Sequence, residues 1–201
     1  NRKAGYNGNI RAGIDSRGKI NAGGDINIKQ GKFNFFLGLD LRQRKSLSEG
    51  HTYRENIYSN KLQNTILDQS SNSTNTGQFL FGRIGFDYLM DNRNSLTLSM
   101  SLPNGEFNSS QVDNIHIDTM SSPVKTQDAI RTTVNKRNFK NFGPALGYKH
   151  LFPKQGRELT ADFNYNTSSN SGSGDYTTQY YNTNGSILGD PALQRLTSSG
   201  S

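Results

Sequence analysis

Ile20-Asn21-Ala22-Gly23-Gly24-Asp25-Ile26-Asn27-Ile28-Lys29-Gln30-Gly31-Lys32-Phe33-Asn34-Phe35-Phe36-Leu37-Gly38-Leu39-Asp40-Leu41 decides the fold. Before Gly31, the set Ile20, Ala22, Gly24, Ile26 and Ile28 alternates with Asn21, Gly23, Asp25, Asn27 and Lys29. After it, Phe33, Phe35, Leu37, Leu39 and Leu41 alternate with Asn34, Gly38 and Asp40, and Phe36 alone breaks the polar set. A period of two on both sides of a tight turn predicts an antiparallel hairpin with one apolar and one polar face.

The same pattern recurs in both directions. Upstream, Tyr6, Gly8, Ile10, Ala12 and Ile14 oppose Asn7, Asn9, Arg11, Gly13 and Asp15, joined to the hairpin by a Ser16-Arg17-Gly18 turn. Downstream, about 78 to 90 presents Leu80, Gly82, Ile84, Phe86, Tyr88 and Met90, with Arg83, Gly85 and Asp87 opposite beside Phe79 and Phe81. Leu96, Leu98, Met100 and Leu102 follow the Asp91-Asn92-Arg93-Asn94 turn. A sixth strand carries Phe142, Pro144, Leu146, Tyr148 and Phe152, with His150 near its rim; Pro144 cannot donate to a ladder and predicts a bulge or an edge there. After Pro153-Lys154-Gln155-Gly156-Arg157, a seventh strand carries Leu159, Ala161, Phe163 and Tyr165. Between these strands lie Ser/Asn-rich stretches at about 45–76 and 103–136, and a Ser/Gly/Asn/Tyr-rich tail over 168–201, all read as loops.

Strands of about 10 to 12 residues match a tilted membrane crossing and exceed the usual soluble length of about 5 to 6. Tight turns at one rim and long connections at the other match an outer-membrane barrel. The expected fold is therefore all-β, an antiparallel meander of about seven long strands forming part of a transmembrane outer-membrane β-barrel. Of the 201 residues 31% are hydrophobic and mean hydropathy is -0.78, a poor supply for a soluble core but sufficient for a barrel, where only alternate residues face lipid. Tyr6, Phe33, Tyr88, Tyr148, Phe152 and Tyr165 are read as interfacial girdles. No run of about 18 apolar residues exists, so no transmembrane helix is expected. With neither an initiator Met nor an apolar leader, the chain reads as a piece of a longer one.

Lys plus Arg number 23 against 16 Asp plus Glu, a net charge of +7. The cations are scattered rather than clustered with stacking aromatics, so no nucleic-acid partner is assigned. Cysteine is absent, which removes disulfides and thiolate metal sites.

Asn1-Arg2-Lys3-Ala4-Gly5-Tyr6-Asn7-Gly8, followed by a two-strand meander, resembles the plug-to-barrel junction of TonB-dependent receptors, and in particular the outer-membrane β-barrel family common in Bacteroidetes. Gly31-Lys32-Phe33-Asn34, Asp87-Tyr88-Leu89-Met90-Asp91 with Ser95-Leu96-Thr97-Leu98-Ser99, and Phe152-Pro153-Lys154 ahead of Leu159-Thr160-Ala161-Asp162-Phe163-Asn164-Tyr165 extend the likeness to about residue 166. The resemblance implies a barrel of some 22 strands in the outer membrane of a Gram-negative bacterium, a receptor that takes up a ligand. Its implied partners are membrane lipid, a plug domain and further barrel strands of the same protein, and a TonB-type motor engaged through an N-terminal part outside this chain; it leaves room for a surface lipoprotein. On that reading residues 1–4 are the junction, 5–167 the first barrel strands and 168–201 an extracellular loop. The turns at Gly31, Asn92 and Gln155 face the periplasm, 45–76, 103–136 and 168–201 face outside, and Ser16 to Gly18 is the one short external loop.

No glycine-rich phosphate loop, nucleophile elbow or carboxylate pair beside a base occurs, so no catalytic residue, no cofactor and no enzyme activity is assigned. Of the three histidines, His51, His116 and His150, none has metal-ligand spacing; His116 and Asp118 point to one side of a strand, a metal pair on one reading and a solvated loop on the other. Asn72-Ser73-Thr74 and Asn108-Ser109-Ser110 match a glycosylation sequon that is uninformative in a bacterial protein. Arg11, Asp15, Asp25, Asp40, Arg42, Arg83 and Asp87, with Lys19 and Lys29, are the candidate lumen wall. Tyr53, Tyr58, Tyr176, Tyr180 and Tyr181 are the candidate ligand-contacting loop residues. Two readings from other classes remain: a plugless anchoring barrel of a secretion or motility complex, and a soluble β-sandwich or adhesin-like module.

Overall fold

The computed structural model describes residues 4–58, 63–120 and 126–201; the first three residues of the expected junction lie outside them. Within the described residues there is no helix. The elements are β1 (Gly5–Ile14), β2 (Ile20–Gln30), β3 (Phe33–Asn56), β4 (Thr65–Leu89), β5 (Asn94–Thr119), β6 (Thr126–Leu151), β7 (Glu158–Asn164), β8 (Thr167–Tyr181) and β9 (Ile187–Gly200). All are antiparallel and follow one another in a single meander sheet, β1-β2-β3-β4-β5-β6-β8-β9, with β7 also on β6. Chain order therefore equals spatial order. The sheet is consistent with part of a β-barrel but is not closed, since β1 pairs β2 alone and β9 pairs β8 alone.

The expected alternation holds, and the strands are longer than expected. Within the stretches 45–76 and 103–136, read as loops, residues 45–56, 65–76, 103–119 and 126–136 are the distal halves of β3 to β6, paired from Lys45↔Thr76 out to Asn56↔Thr65 and from Asn104↔Lys140 to Asp118↔Thr126. The 168–201 tail, also read as a loop, forms most of β8 and all of β9. Nine strands thus replace about seven. Polar strands of low intrinsic propensity persist here because each extends a ladder whose register the apolar half has already fixed.

Pro144 behaves differently from expectation. β6 is an interior strand, and the pairing Met100↔Pro144 stays in register, with neither bulge nor edge. The Pro144 carbonyl accepts from the Tyr165 N–H at 3.0 Å, so its missing N–H falls on the β7 side. β7 and β8 keep a common register on β6, Ala145↔Asn164 and Phe142↔Thr167, and they part at Tyr165-Asn166, opposite Pro144 and Gly143. They are one strand interrupted by a proline in its neighbour. A true irregularity lies on β9, where three residues, Gly189 to Pro191, face Gln179 alone.

The two faces differ in crowding. The four non-glycine residues that are buried, Asp113, Ala129, Thr133 and Thr178, all lie on the polar face, whereas Phe35, Leu39 and Ile84 on the apolar face are about half exposed. The greater crowding of the polar face marks it as the concave one, and nothing of this sheet covers the apolar side chains on the other.

On the convex face the apolar residues form cross-strand rows. Tyr6, Ile28, Phe35, Phe86, Leu98, Leu146 and Phe163 make one, and Gly8, Ile26, Leu37, Ile84, Met100, Pro144 and Tyr165 the next. Phe33 stacks on Tyr88 at 4.9 Å in the row nearest the tight turns, with Tyr148 further along it. Tyr165 shares the cross-strand row of Leu37 and Met100, yet because the band slants it stands at the band's distal boundary on its own strand. The distal boundary of the band is Ile14, Ile20, Leu41, Leu80, Leu102, Phe142 and Tyr165. It steps down by two residues between β2 and β3, between β4 and β5, and between β6 and β7, six residues over six strand-to-strand steps. With about 3.3 Å per residue and about 4.8 Å per strand, that slant corresponds to strands tilted about 35° from the normal of the band. Five rows, four intervals of about 6.7 Å, then give a belt about 22 Å tall from the first row of side chains to the last.

Candidate functional site

The concave face carries most of the expected wall. Arg11 on β1 reaches two strands, pairing with Asp25 of β2 at 3.5 Å and with Asp40 of β3 through its terminal nitrogen. Next to them Asp87 of β4 accepts from Asn34 Nδ2 at 3.0 Å and from Thr97 Oγ1 at 2.7 Å, tying β3, β4 and β5 together. Arg83 stands 5.2 Å over the Phe36 ring. These groups line a concavity of about 410 Å³. Arg11 meets Asp40 two strands away across Gly23 and Asp25 on the diagonal, while Arg42 and Arg83 take part in no ion pair among the described residues, so the wall carries both signs of charge and is only partly paired.

Asp15, expected on this wall, belongs to a turn. Its Oδ1 accepts from the Lys19 and Arg17 N–H groups at 2.8 Å each, an Asx turn with Gly18 at φ 70. The Lys19 amide above all holds its carboxyl below the ordinary value. Asp91 does the same between β4 and β5, bonded to the Asn94 side chain and to the Arg93 and Asn94 amides.

The five tyrosines do not converge. Tyr53, Tyr176, Tyr180 and Tyr181 are strand residues, and only Tyr58 lies outside a strand. Tyr53 and Tyr181 share the convex face, at the two ends of the row Tyr53, Asp68, His116, Asp128, Tyr181. Four strand spacings, about 19 Å, separate them. Tyr176 and Tyr180 face the concave side.

This row and the two beside it gather the titratable groups of the distal end. His51 Nε2 is 2.7 Å from Asp68, and His116 lies 2.5 Å from Asp128 through Nδ1 and 3.2 Å from Asp118 through Nε2. The bond to Asp128 raises the His116 pKa above its usual value, and the Thr126 hydroxyl lowers that of Asp118. His116 is thus a strand residue rather than a loop one. Among the described residues no group of three or more His, Cys, Asp or Glu is arranged to hold a metal ion.

No family model matches the chain, and comparison with curated proteins finds no similar sequence. The geometry therefore stands as the basis for a functional reading.

One cluster escaped the alternation argument. Phe36, Phe107 and Phe139 occupy concave positions, and each faces a glycine of the next strand: Phe36↔Gly85, Gly77↔Phe107, Gly105↔Phe139. A Cβ on Gly77 would come 2.8 Å from the Phe107 ring, one on Gly85 2.5 Å from Phe36, and one on Gly105 would strike Phe139. The rings lie over bare backbone, a device that covers glycine in strands. Phe139 then stacks on Phe107 at 6.0 Å and meets Phe79 at 6.1 Å. The signal in the sequence is the set of phenylalanines that break the polar alternation, read with their cross-strand glycines.

Proposed function

We propose that this chain is a sector of an outer-membrane β-barrel belonging to a TonB-dependent receptor, which takes up a ligand across the outer membrane. What carries the membrane part of this reading is the slanted apolar belt. Its tilt of about 35° and height of about 22 Å lie close to the about 35 to 45° and about 25 Å of outer-membrane barrels, and it lies on the convex face, where lipid would be. Open edges are intolerable in lipid, so β1 and the β7–β9 side would be closed by further strands of the whole protein. The receptor part is supported by the resemblance of residues 1 to about 166 and by a polar wall carrying both signs of charge, suited to holding a plug by exchangeable pairs. A motor-engaging segment and a surface lipoprotein belong to the same proposal.

The test is uptake in cells lacking the protein, grown on a panel of labelled nutrients. Loss of one nutrient's uptake on deletion, and equal loss in wild-type cells when the proton gradient is dissipated, supports the receptor. A protein that fractionates with the outer membrane while deletion and uncoupling alter no uptake refutes it.

A further inference from the structure

Beside Phe107, at the level where the convex apolar belt has ended, the concave face holds a second concavity of about 360 Å³. Phe107, 46% exposed, offers one ring face to it, the ring being held by Gly77 beneath and Phe139 alongside. Arg44 of β3 and Arg137 of β6 stand at its two ends, and Asn75, Ser109 and Asn135 supply neutral polar groups between them. Arg44 and Arg137 are exposed, and among the described residues neither takes part in an ion pair. The rows containing these residues carry no acid on the concave face, since Asp40, one row beyond Arg42, is taken by Arg11.

We propose that this concavity is a binding pocket for an anionic ligand with a flat or ring-shaped apolar face. The volume falls in the about 300 to 1,000 Å³ of small-ligand clefts. An exposed phenyl face on a rigid strand offers stacking at little entropic cost, and two unpaired guanidinium groups recognise a carboxylate by charge-assisted bonds. A neutral ligand would use the ring and leave both cations unsatisfied. The chemistry fits an aromatic carboxylate and an acidic sugar alike. The proposal rests on the barrel reading in one respect: a pocket on the lumen wall meets solutes on their way through.

The test is equilibrium titration of the purified full-length protein in detergent with four probes: 2-naphthoate, its neutral analogue 2-naphthalenemethanol, a trigalacturonate and a neutral galactose trisaccharide. At least one acidic probe is expected to bind about tenfold or more tightly than its neutral partner, as bonds to charged groups imply. Which acidic probe binds identifies the source. The exposed double substitution Arg44→Gln, Arg137→Gln should remove that preference, Phe107→Ala should weaken both members of a pair, and Arg131→Gln, whose side chain bonds Thr178, should change neither. Absence of binding by both acidic probes, equal binding of acid and neutral partner, or indifference to the double arginine substitution overturns the pocket. Heat-modifiable migration of the same sample reports the barrel separately. Charge-selective binding by a protein that is soluble without detergent would sink the barrel reading and keep the pocket, whereas a heat-modifiable protein that binds no acidic probe does the reverse.

Discussion

Arginine placed at Leu37 is the most direct probe of what covers the convex face. Leu37 lies in the middle row of the belt, two rows from Phe33 on one side and two from Leu41 on the other. At about 6.7 Å per row and a tilt of about 35°, that is about 11 Å from either boundary. In lipid an arginine at the midplane of a barrel costs about 2 to 4 kcal/mol, falling to about 0 to 1 near the interface. Leu41→Arg and Leu80→Arg, at the distal boundary, should therefore cost about 1 kcal/mol or less, and Gln78→Arg, one row further on the same face, close to nothing. In water the outcome differs, because Leu37 is 41% exposed and an exposed substitution changes stability by about 0.5 kcal/mol at most. The assay is urea unfolding of the full-length protein in phospholipid vesicles, followed by far-ultraviolet circular dichroism. A profile peaking at Leu37 is expected. If Leu37→Arg costs no more than Gln78→Arg, no lipid covers the belt and the membrane reading falls.

Three further outcomes are expected. Gly105→Ala should destabilise by about 1 to 3 kcal/mol, because the new methyl displaces Phe139 from its stacking on Phe107, and adding Phe139→Ala should cost less than the sum of the two singles; strict additivity in urea unfolding would argue against the ring-on-glycine contact. Pro144→Ala restores a donor facing Tyr165 and should stabilise by about 0.5 to 1.5 kcal/mol while slowing amide exchange around Tyr165-Asn166, and unchanged exchange there would show that the proline is not what parts β7 from β8. For the distal end the signs differ by group: His116, its pKa raised by Asp128, contributes fully below 6.5 and less as pH rises through its folded value, whereas Asp118, its pKa lowered by Thr126, contributes fully above 3.8 and less as pH falls. Protection of the Asn114 to Asp118 amides, taken relative to intrinsic exchange at each pH, should be greatest between those values, and His116→Asn should abolish its loss as pH rises; protection that ignores pH in the wild type would rule out the imidazolium.

The apolar half of the sheet was legible because lipid-facing or core-facing residues must repeat every second position. Phe33 to Leu41 and Leu80 to Met90 declare a face, a period and a turn at once. The distal half was not, since neither of its faces is required to be apolar. Ser46 to Asn56 and Asn104 to Asp118 look like loop by composition, and they become strands through pairing partners that composition does not reveal. Site legibility split in the same way. Arg11, Asp25, Asp40, Arg83 and Asp87 follow from alternation alone and do line the concave wall, whereas Asp15 sits one residue past the strand, where the turn claims it. The tyrosines read as loop residues by composition, and the register places Tyr53 and Tyr181 on one face and Tyr176 and Tyr180 on the other.

The exceptions to alternation carry more than the rule does. Phe36, Phe79, Phe107 and Phe139 occupy positions where a hydrated wall would take polar residues, and each meets a glycine across the strand, Phe79 and Phe139 flanking the same Gly105. If these rings served stability alone, covering glycine would be enough, as it is for Phe36, which lies beneath Arg83. Phe107 differs in that its outer ring face is left open between two arginines with no acid at hand. A buried-surface argument explains the ring's inner face and leaves the outer one without a function. The unpaired guanidinium groups on either side supply it, which is why the double arginine substitution, and not Phe107→Ala, separates a binding pocket from a patch of structural stacking.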